Sequence, residues 1–119
     1  MKNYTLFILM LVFLSACSLF NSLHSVTSIQ PQQEFILGKN EHRNFKVHAK
    51  NLSNYQLEVH FAPITGGKHS FQLVGPNESV DLKVEKNTAL IITNKSQDTI
   101  NVSLKVKGDL GLSMGYQNK

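Results

Sequence analysis

The chain predicts an all-β protein, a small two-layer antiparallel β-sandwich or small jelly roll of about eight short strands. Three observations carry that expectation. From Glu34 onward apolar and polar side chains alternate with a period of two, as strands with one buried face require. Turn-forming clusters, "NLSN", "PITGGK", "GPNE", "EKNT", "NKSQD" and "KGD", separate the alternating runs. Beyond the leading apolar stretch, no run of ten or more residues has helical spacing. An opened barrel is the alternative architecture.

The first element is not part of that domain. Lys2 supplies a positive end, Leu6 to Leu14 (LFILMLVFL) is apolar throughout, and Ser15 and Ala16 are small. This order describes a secretory signal peptide. A helix of that apolar run spans about 13 Å, under half of the roughly 30 Å hydrocarbon core. Extended to Tyr4 and Phe20 it reaches the lower limit for a span, so an uncleaved anchor is the competing reading. The small residues that break the run argue against that reading, as does the absence of a basic residue between Lys2 and Lys39.

Cys17 is the only cysteine, which excludes a disulfide framework or a Cys-based zinc cage within one chain. Leu14-Ser15-Ala16-Cys17 resembles the lipobox of bacterial lipoproteins: an aliphatic residue, two small ones, then the modified cysteine. The resemblance implies a diacylglyceryl thioether on Cys17 and cleavage after Ala16, with Leu14, Ser15 and Ala16 as the peptidase recognition residues. Acylation of the new amino terminus would add a further chain, and two or three chains hold a protein stably where one does not. Ser18 stands where aspartate implies inner-membrane retention in enterobacterial lipoproteins. The implied location is therefore a lipid-anchored one at the outer membrane, facing the periplasm or the exterior. Residues 1–16 then form the signal peptide, and 17–33 the lipidated cysteine with its tether. Residues 34–119 form the β-sandwich.

The stretch "SLFNSLHSVTSIQPQQ" (18–33) is rich in Ser, Asn and Gln and reads as an extended linker reaching about 20–25 Å. Its apolar residues Leu19, Phe20, Leu23, Val26 and Ile29 suit the lipid surface or a short strand near Val26 to Ile29. The strands follow. Phe35 to Leu37 is the first; Phe45, Val47 and Ala49 alternate with Lys46, His48 and Lys50. Tyr55, Leu57, Val59 and Phe61 come next, then Phe71 and Leu73, and Val80, Leu82 and Val84. Leu90 and Ile92, Ile100 to Val106, and Leu110 to Tyr116 complete the set. The inward positions supply about twenty apolar side chains, a sufficient core for a domain of this size without a disulfide. The last two strands are expected to form a hairpin across Lys107-Gly108-Asp109, with Val106 opposite Leu110. Gly111, Ser113 and Gly115 would then leave the outer face of the last strand bare.

This strand–turn pattern is similar to that of many immunoglobulin-like envelope domains, so the class is immunoglobulin-like or jelly-roll-like. An internal echo pairs "VHAKNLSNYQLEVHF" from Val47 with "LIITNKSQDTINVSL" from Leu90; shared Asn-x-Ser turn chemistry explains it more simply than duplication. The Asn-x-Ser sequences at Asn51, Asn77, Asn94 and Asn101 read as turn and surface residues rather than sugar acceptors.

Composition narrows function. The formal charge of +4 comes from lysines dispersed along the chain with no block of like charge, which argues for an ordinary solvated surface and against nucleic acid. There is no Gly-x-Ser-x-Gly, and Gly66-Gly67-Lys68 lacks a phosphate-loop frame. The expectation is a non-enzymatic protein without a cofactor, held at the membrane through Cys17 and binding another envelope protein or a glycan. Recognition in such architectures sits on end loops. The candidates are Pro63, Ile64, Thr65, Gly66, Gly67 and Lys68, with Gly75, Pro76, Asn77 and Glu78. The alternative is a histidine-based metal site using His48 and His60, both outward on strands expected to be neighbours, with a third ligand nearby.

Overall fold

A computed structural model describes residues 22–118; the signal peptide and the lipobox Leu14 to Cys17 lie outside the described residues. Nine strands form among these residues. They are β1 (Ser22–Ile29), β2 (Gln33–Leu37), β3 (Phe45–Asn51), β4 (Leu57–Pro63) and β5 (His69–Val74), followed by β6 (Ser79–Val84), β7 (Thr88–Asn94), β8 (Ile100–Gly108) and β9 (Met114–Asn118). One sheet has the order β1-β8-β3-β6 and the other β5-β4-β7-β2-β9, with all pairs antiparallel.

The pairs β1·β8, β2·β7, β3·β6 and β4·β5 all share hydrogen bonds. The first eight strands are thus one long antiparallel hairpin rolled over on itself, which is the jelly roll. Of the two sandwich classes expected, this is the one formed; β9 is an addition that extends the second sheet beyond β2.

The alternating strands fill the space between the sheets as their periodicity requires. Phe45, Val47 and Ala49 of β3 and Ile100, Val102, Leu104 and Val106 of β8 face Phe35, Leu37, Leu57, Val59, Leu90 and Ile92 of the opposite sheet. Each fully buried large apolar side chain stabilises the fold by roughly 1.5–3 kcal/mol. Among the described residues this core runs from Ile29 to Val106 and draws on both sheets.

Three expectations are corrected. Residues 22–29 are not tether: the alternative of a short strand near Val26 to Ile29 is the one formed, and it is longer, with β1 paired to β8 from Ser22 opposite Lys107 to Ile29 opposite Ile100. The polar residues that suggested a linker are largely its solvent-facing side, and Ile29 enters the core. The domain therefore begins by Ser22 rather than Glu34. The hairpin across Lys107-Gly108-Asp109 does not form, because β8 and β9 lie in different sheets and β9 pairs with β2. Gly108 instead takes φ +104° with its Cα against the Asn44 carbonyl, where an added Cβ would lie 3.0 Å from that oxygen. Finally, Phe71 and Leu73 point outward. Val74 sits opposite Leu57 and takes the inward parity, so Leu73 beside it and Phe71, two residues before Leu73, turn to the other face of this edge strand.

The internal echo has a structural cause. Two of the chain's crossings between sheets, 52–56 after β3 and 95–99 after β7, are built alike. Each crossing is plugged by the buried asparagine before it. Asn94 Nδ2 donates to the carbonyls of Ile29 (2.8 Å) and Asp98 (2.7 Å), while its Oδ1 accepts from the Ser96 amide and hydroxyl. Asn51 Nδ2 donates to the carbonyls of Tyr55 (2.6 Å) and Val74 (3.1 Å), and its Oδ1 accepts from the Ser53 amide and hydroxyl. The residues four places after each asparagine then meet: the Tyr55 hydroxyl donates to the Asp98 carboxylate. Asn51 and Asn94 are thus buried structural plugs, which corrects their reading as surface residues.

Candidate functional site

The sandwich leaves two sheet faces outward, and the five-stranded one departs from a solvated surface. Across it run two rows in register: Glu34, Thr93 and Glu58 on β2, β7 and β4, then Ile36, Ile91 and His60 on the same strands. Residues on the outer face of a sheet are ordinarily wet, yet Glu34 is only 6% and His60 7% exposed, and Thr93 and Ile91 are buried as well. Ile36, Ala89 and Ile91 form a small apolar patch with Ala62 against it.

Beside that patch is a cavity of about 320 Å³ lined by Glu34, Glu58, His60, Lys68, Phe71 and Thr93, among others. Two of its buried polar atoms, Glu34 Oε2 and His60 Nε2, have no hydrogen-bond partner among the described residues. An unmet buried polar group costs about 1–3 kcal/mol, and native folds hold few of them. Glu58, by contrast, is paired with Lys95 at 2.7 Å. The burial of the His60 imidazole, reinforced by the Lys68 charge and opposed by Glu34 and Glu58, holds its pKa below the ordinary 6.5. It is therefore neutral at pH 7, able to accept through one ring nitrogen and donate through the other. With two carboxylates against two lysines the cavity carries balanced formal charge. Phe71, 60% exposed, stands among its lining residues as an aromatic surface.

The expected site residues fall as follows. Pro63 closes β4, and Ile64, Thr65, Gly66, Gly67 and Lys68 form the β4–β5 loop; Gly75, Pro76, Asn77 and Glu78 form the β5–β6 turn. The two segments lie at opposite ends of β5, about 20 Å apart at strand rise, and do not make one surface. The 75–78 turn is tied to the main chain: Asn77 N donates to the Asn51 carbonyl and Asn51 N to that of Glu78. Of the ten loop candidates, Lys68 alone lines the cavity at Glu34 and His60.

His48 and His60 lie on the outer faces of different sheets, with the core between them, so they cannot share a metal ion. His48 Nδ1 instead contacts Asp81 Oδ1 at 2.7 Å. Among the described residues no three His, Cys, Asp or Glu side chains are grouped to hold a metal.

The opposite outer face corrects the view of the charge as dispersed. In the four-stranded sheet Lys107 of β8, Lys46 of β3 and Lys83 of β6 form one row, and Lys105, His48 and Asp81 the next. Lys50 follows on β3. Five lysines and one aspartate thus share this face.

Neither the Glu34–His60 pairing nor the lysine face was singled out from the chain. Glu34 opens its strand's alternation, and His60 reads as an outward candidate metal ligand beside His48 rather than as a neighbour of Glu34. The lysines are each separated by whole strands, though their common outward parity was a usable signal. Comparison with protein-family models, curated proteins and solved structures finds no match.

Proposed function

We propose that this protein is a lipid-anchored envelope lipoprotein, held through Cys17, whose jelly roll is a non-catalytic binding module for a neutral, hydroxyl-rich ligand such as a glycan. The observation that carries the binding reading is the pair of buried, unpartnered atoms Glu34 Oε2 and His60 Nε2 in one cavity. A carboxylate oxygen accepts from a hydroxyl, and a neutral imidazole either accepts or donates. The Thr93 hydroxyl adds a further polar group, and a sugar's apolar face fits against an aromatic ring such as Phe71. The balanced charge favours an uncharged ligand over a phosphate or a polyamine. Convergent polar groups with one exposed aromatic ring, beside a small apolar patch, suit a hydroxyl-rich ligand. The anchor reading rests on Leu14-Ser15-Ala16-Cys17 behind the apolar run.

The test is calorimetric titration of the protein with N-acetylglucosamine oligomers and neutral hexose oligomers. At least one is expected to bind, with Glu34→Gln and His60→Phe each weakening it tenfold or more. Binding of none, or binding unaltered by both substitutions, would remove the cavity from the account. Cleavage of a bound oligomer would replace a binding module with a hydrolase.

A further inference from the structure

The lysine face of the four-stranded sheet has a second property that the solvated-surface reading does not explain. Lys46 lies directly opposite Lys83 on one side and Lys107 on the other. Like charges in register across strands repel and destabilise a sheet. Among the acids near this face, Asp81 is engaged with His48 and Asp109 with Arg43, leaving Glu85 just past the end of β6. An open groove of about 630 Å³ runs between the lysines, lined by Lys46, His48, Asp81, Lys83, Lys105 and Lys107.

The position of the row matters as much as its charge. Ser22, where β1 begins, is the register partner of Lys107 and so stands at the end of the Lys107–Lys46–Lys83 row. Cys17 precedes Ser22 by five residues, which reach at most about 18 Å when fully extended. The charge also falls off away from that end: three lysines in the first row, then one beside an aspartate, then Lys50 between Ser79 and Ser103.

We infer that this face docks on the anionic headgroups of the bilayer that holds the lipidated Cys17, with Lys46, Lys83, Lys105 and Lys107 as the contacting cations. The orientation rests on the lipid-anchor reading, while the electrostatic attraction does not. A basic patch beside an acyl anchor is a second membrane signal, and each lysine near an anionic surface adds about fivefold in affinity. The docked arrangement leaves the opposite face, with Glu34 and His60, turned away from the lipid.

Residues 18–119, which carry every core residue named above but no cysteine, provide the test. Circular dichroism first verifies that this piece and its variants are folded. Each is then sedimented with vesicles of phosphatidylcholine alone and of phosphatidylcholine mixed with phosphatidylglycerol. The piece is expected to bind only the anionic vesicles and to leave them near 1 M salt, where the Debye length is about 3 Å. Lys46→Gln should weaken binding about fivefold, and Lys46→Gln/Lys83→Gln/Lys107→Gln about a hundredfold. Equal retention by both vesicles, or an unchanged triple variant, overturns the inference. Complete displacement by duplex DNA at matched phosphate concentration overturns it in favour of a nucleic-acid surface. Because the piece lacks Cys17, its failure to bind anionic vesicles overturns the inference but not the anchor, which is judged separately from the mass of the lipidated chain.

Discussion

Replacing Asn94 by aspartate is a change of one atom type at the most constrained polar position in the molecule. Asn94 is fully buried and donates from Nδ2 to two carbonyls, those of Ile29 and Asp98. A carboxylate keeps the bonds accepted from Ser96 but cannot donate to either carbonyl. Two hydrogen bonds worth about 1 kcal/mol each disappear, and the buried Ile29 carbonyl is faced by a second acceptor, adding roughly 1–3 kcal/mol. The expected loss at pH 7 is about 3–5 kcal/mol, a large part of the 5–15 kcal/mol typical of a small domain. With a urea slope of about 1.5 kcal/mol/M, the midpoint should fall by roughly 2 M or more. The direction with pH is also fixed. A protonated carboxyl can donate once, so the new group has a raised folded pKa, and the deficit should shrink as the pH falls toward 4. Asn101→Asp, at an exposed position whose Oδ1 only accepts from Ser28, is the control and should change stability by under about 0.5 kcal/mol. A deficit for Asn94→Asp below about 1 kcal/mol, or one that grows on acidification, would refute the plug.

Further outcomes follow from the same geometry. Because burial lowers the His60 pKa, its contribution to stability is complete above pH 6.5 and is lost as the pH falls through the lower folded value. The thermal midpoint of the native protein should therefore drop below pH 6.5, and His60→Phe should remove part of that drop. The Tyr55 hydroxyl donates to Asp98 and its pKa is raised above 10.0 by that bond and charge. Its phenolate absorbance should appear at higher pH than that of a free tyrosine, and Asp98→Asn should bring it forward. Lys46→Gln relieves two like-charge register pairs and should stabilise the domain by about 0.2–1 kcal/mol in urea titration, an effect that shrinks with added salt. Expressed in a lipoprotein-processing bacterium, the native chain should have a mass that begins at a lipidated Cys17. Cys17→Ser should lose the lipid; a native chain retaining Met1 and a free thiol would contradict the anchor.

Much of the fold was legible because strand alternation is a local signal. Phe45 to Asn51 and Ile100 to Val106 announce both their conformation and their buried face, and the structure keeps that parity. The misreadings occur where the partner decides. The apolar residues suggested a strand near Val26 to Ile29, but its extension back to Ser22 is set by the matching length of β8, which the serines do not advertise. Phe71 and Leu73 look like core, but pairing with Leu57 gives Val74 the inward position. Leu110 to Tyr116 looks like the return arm of a hairpin, yet the turn at Gly108 carries the chain out of its sheet. The candidate site was hidden for the same reason. Glu34 and His60 are ordinary polar letters 26 positions apart, brought to one face only by β7 between their strands. The lysine row is likewise a product of register, although the outward parity of each lysine could be read from the alternation.

The most direct measurement is the imidazole nitrogen NMR signal of His60 during titration with the neutral oligosaccharides. The account predicts a neutral ring at pH 7 whose Nε2 resonance moves on binding of a saccharide and stops moving in Glu34→Gln, where the ligand is no longer held. A ring that is already protonated at pH 7, or an Nε2 resonance indifferent to every saccharide that binds, would contradict it.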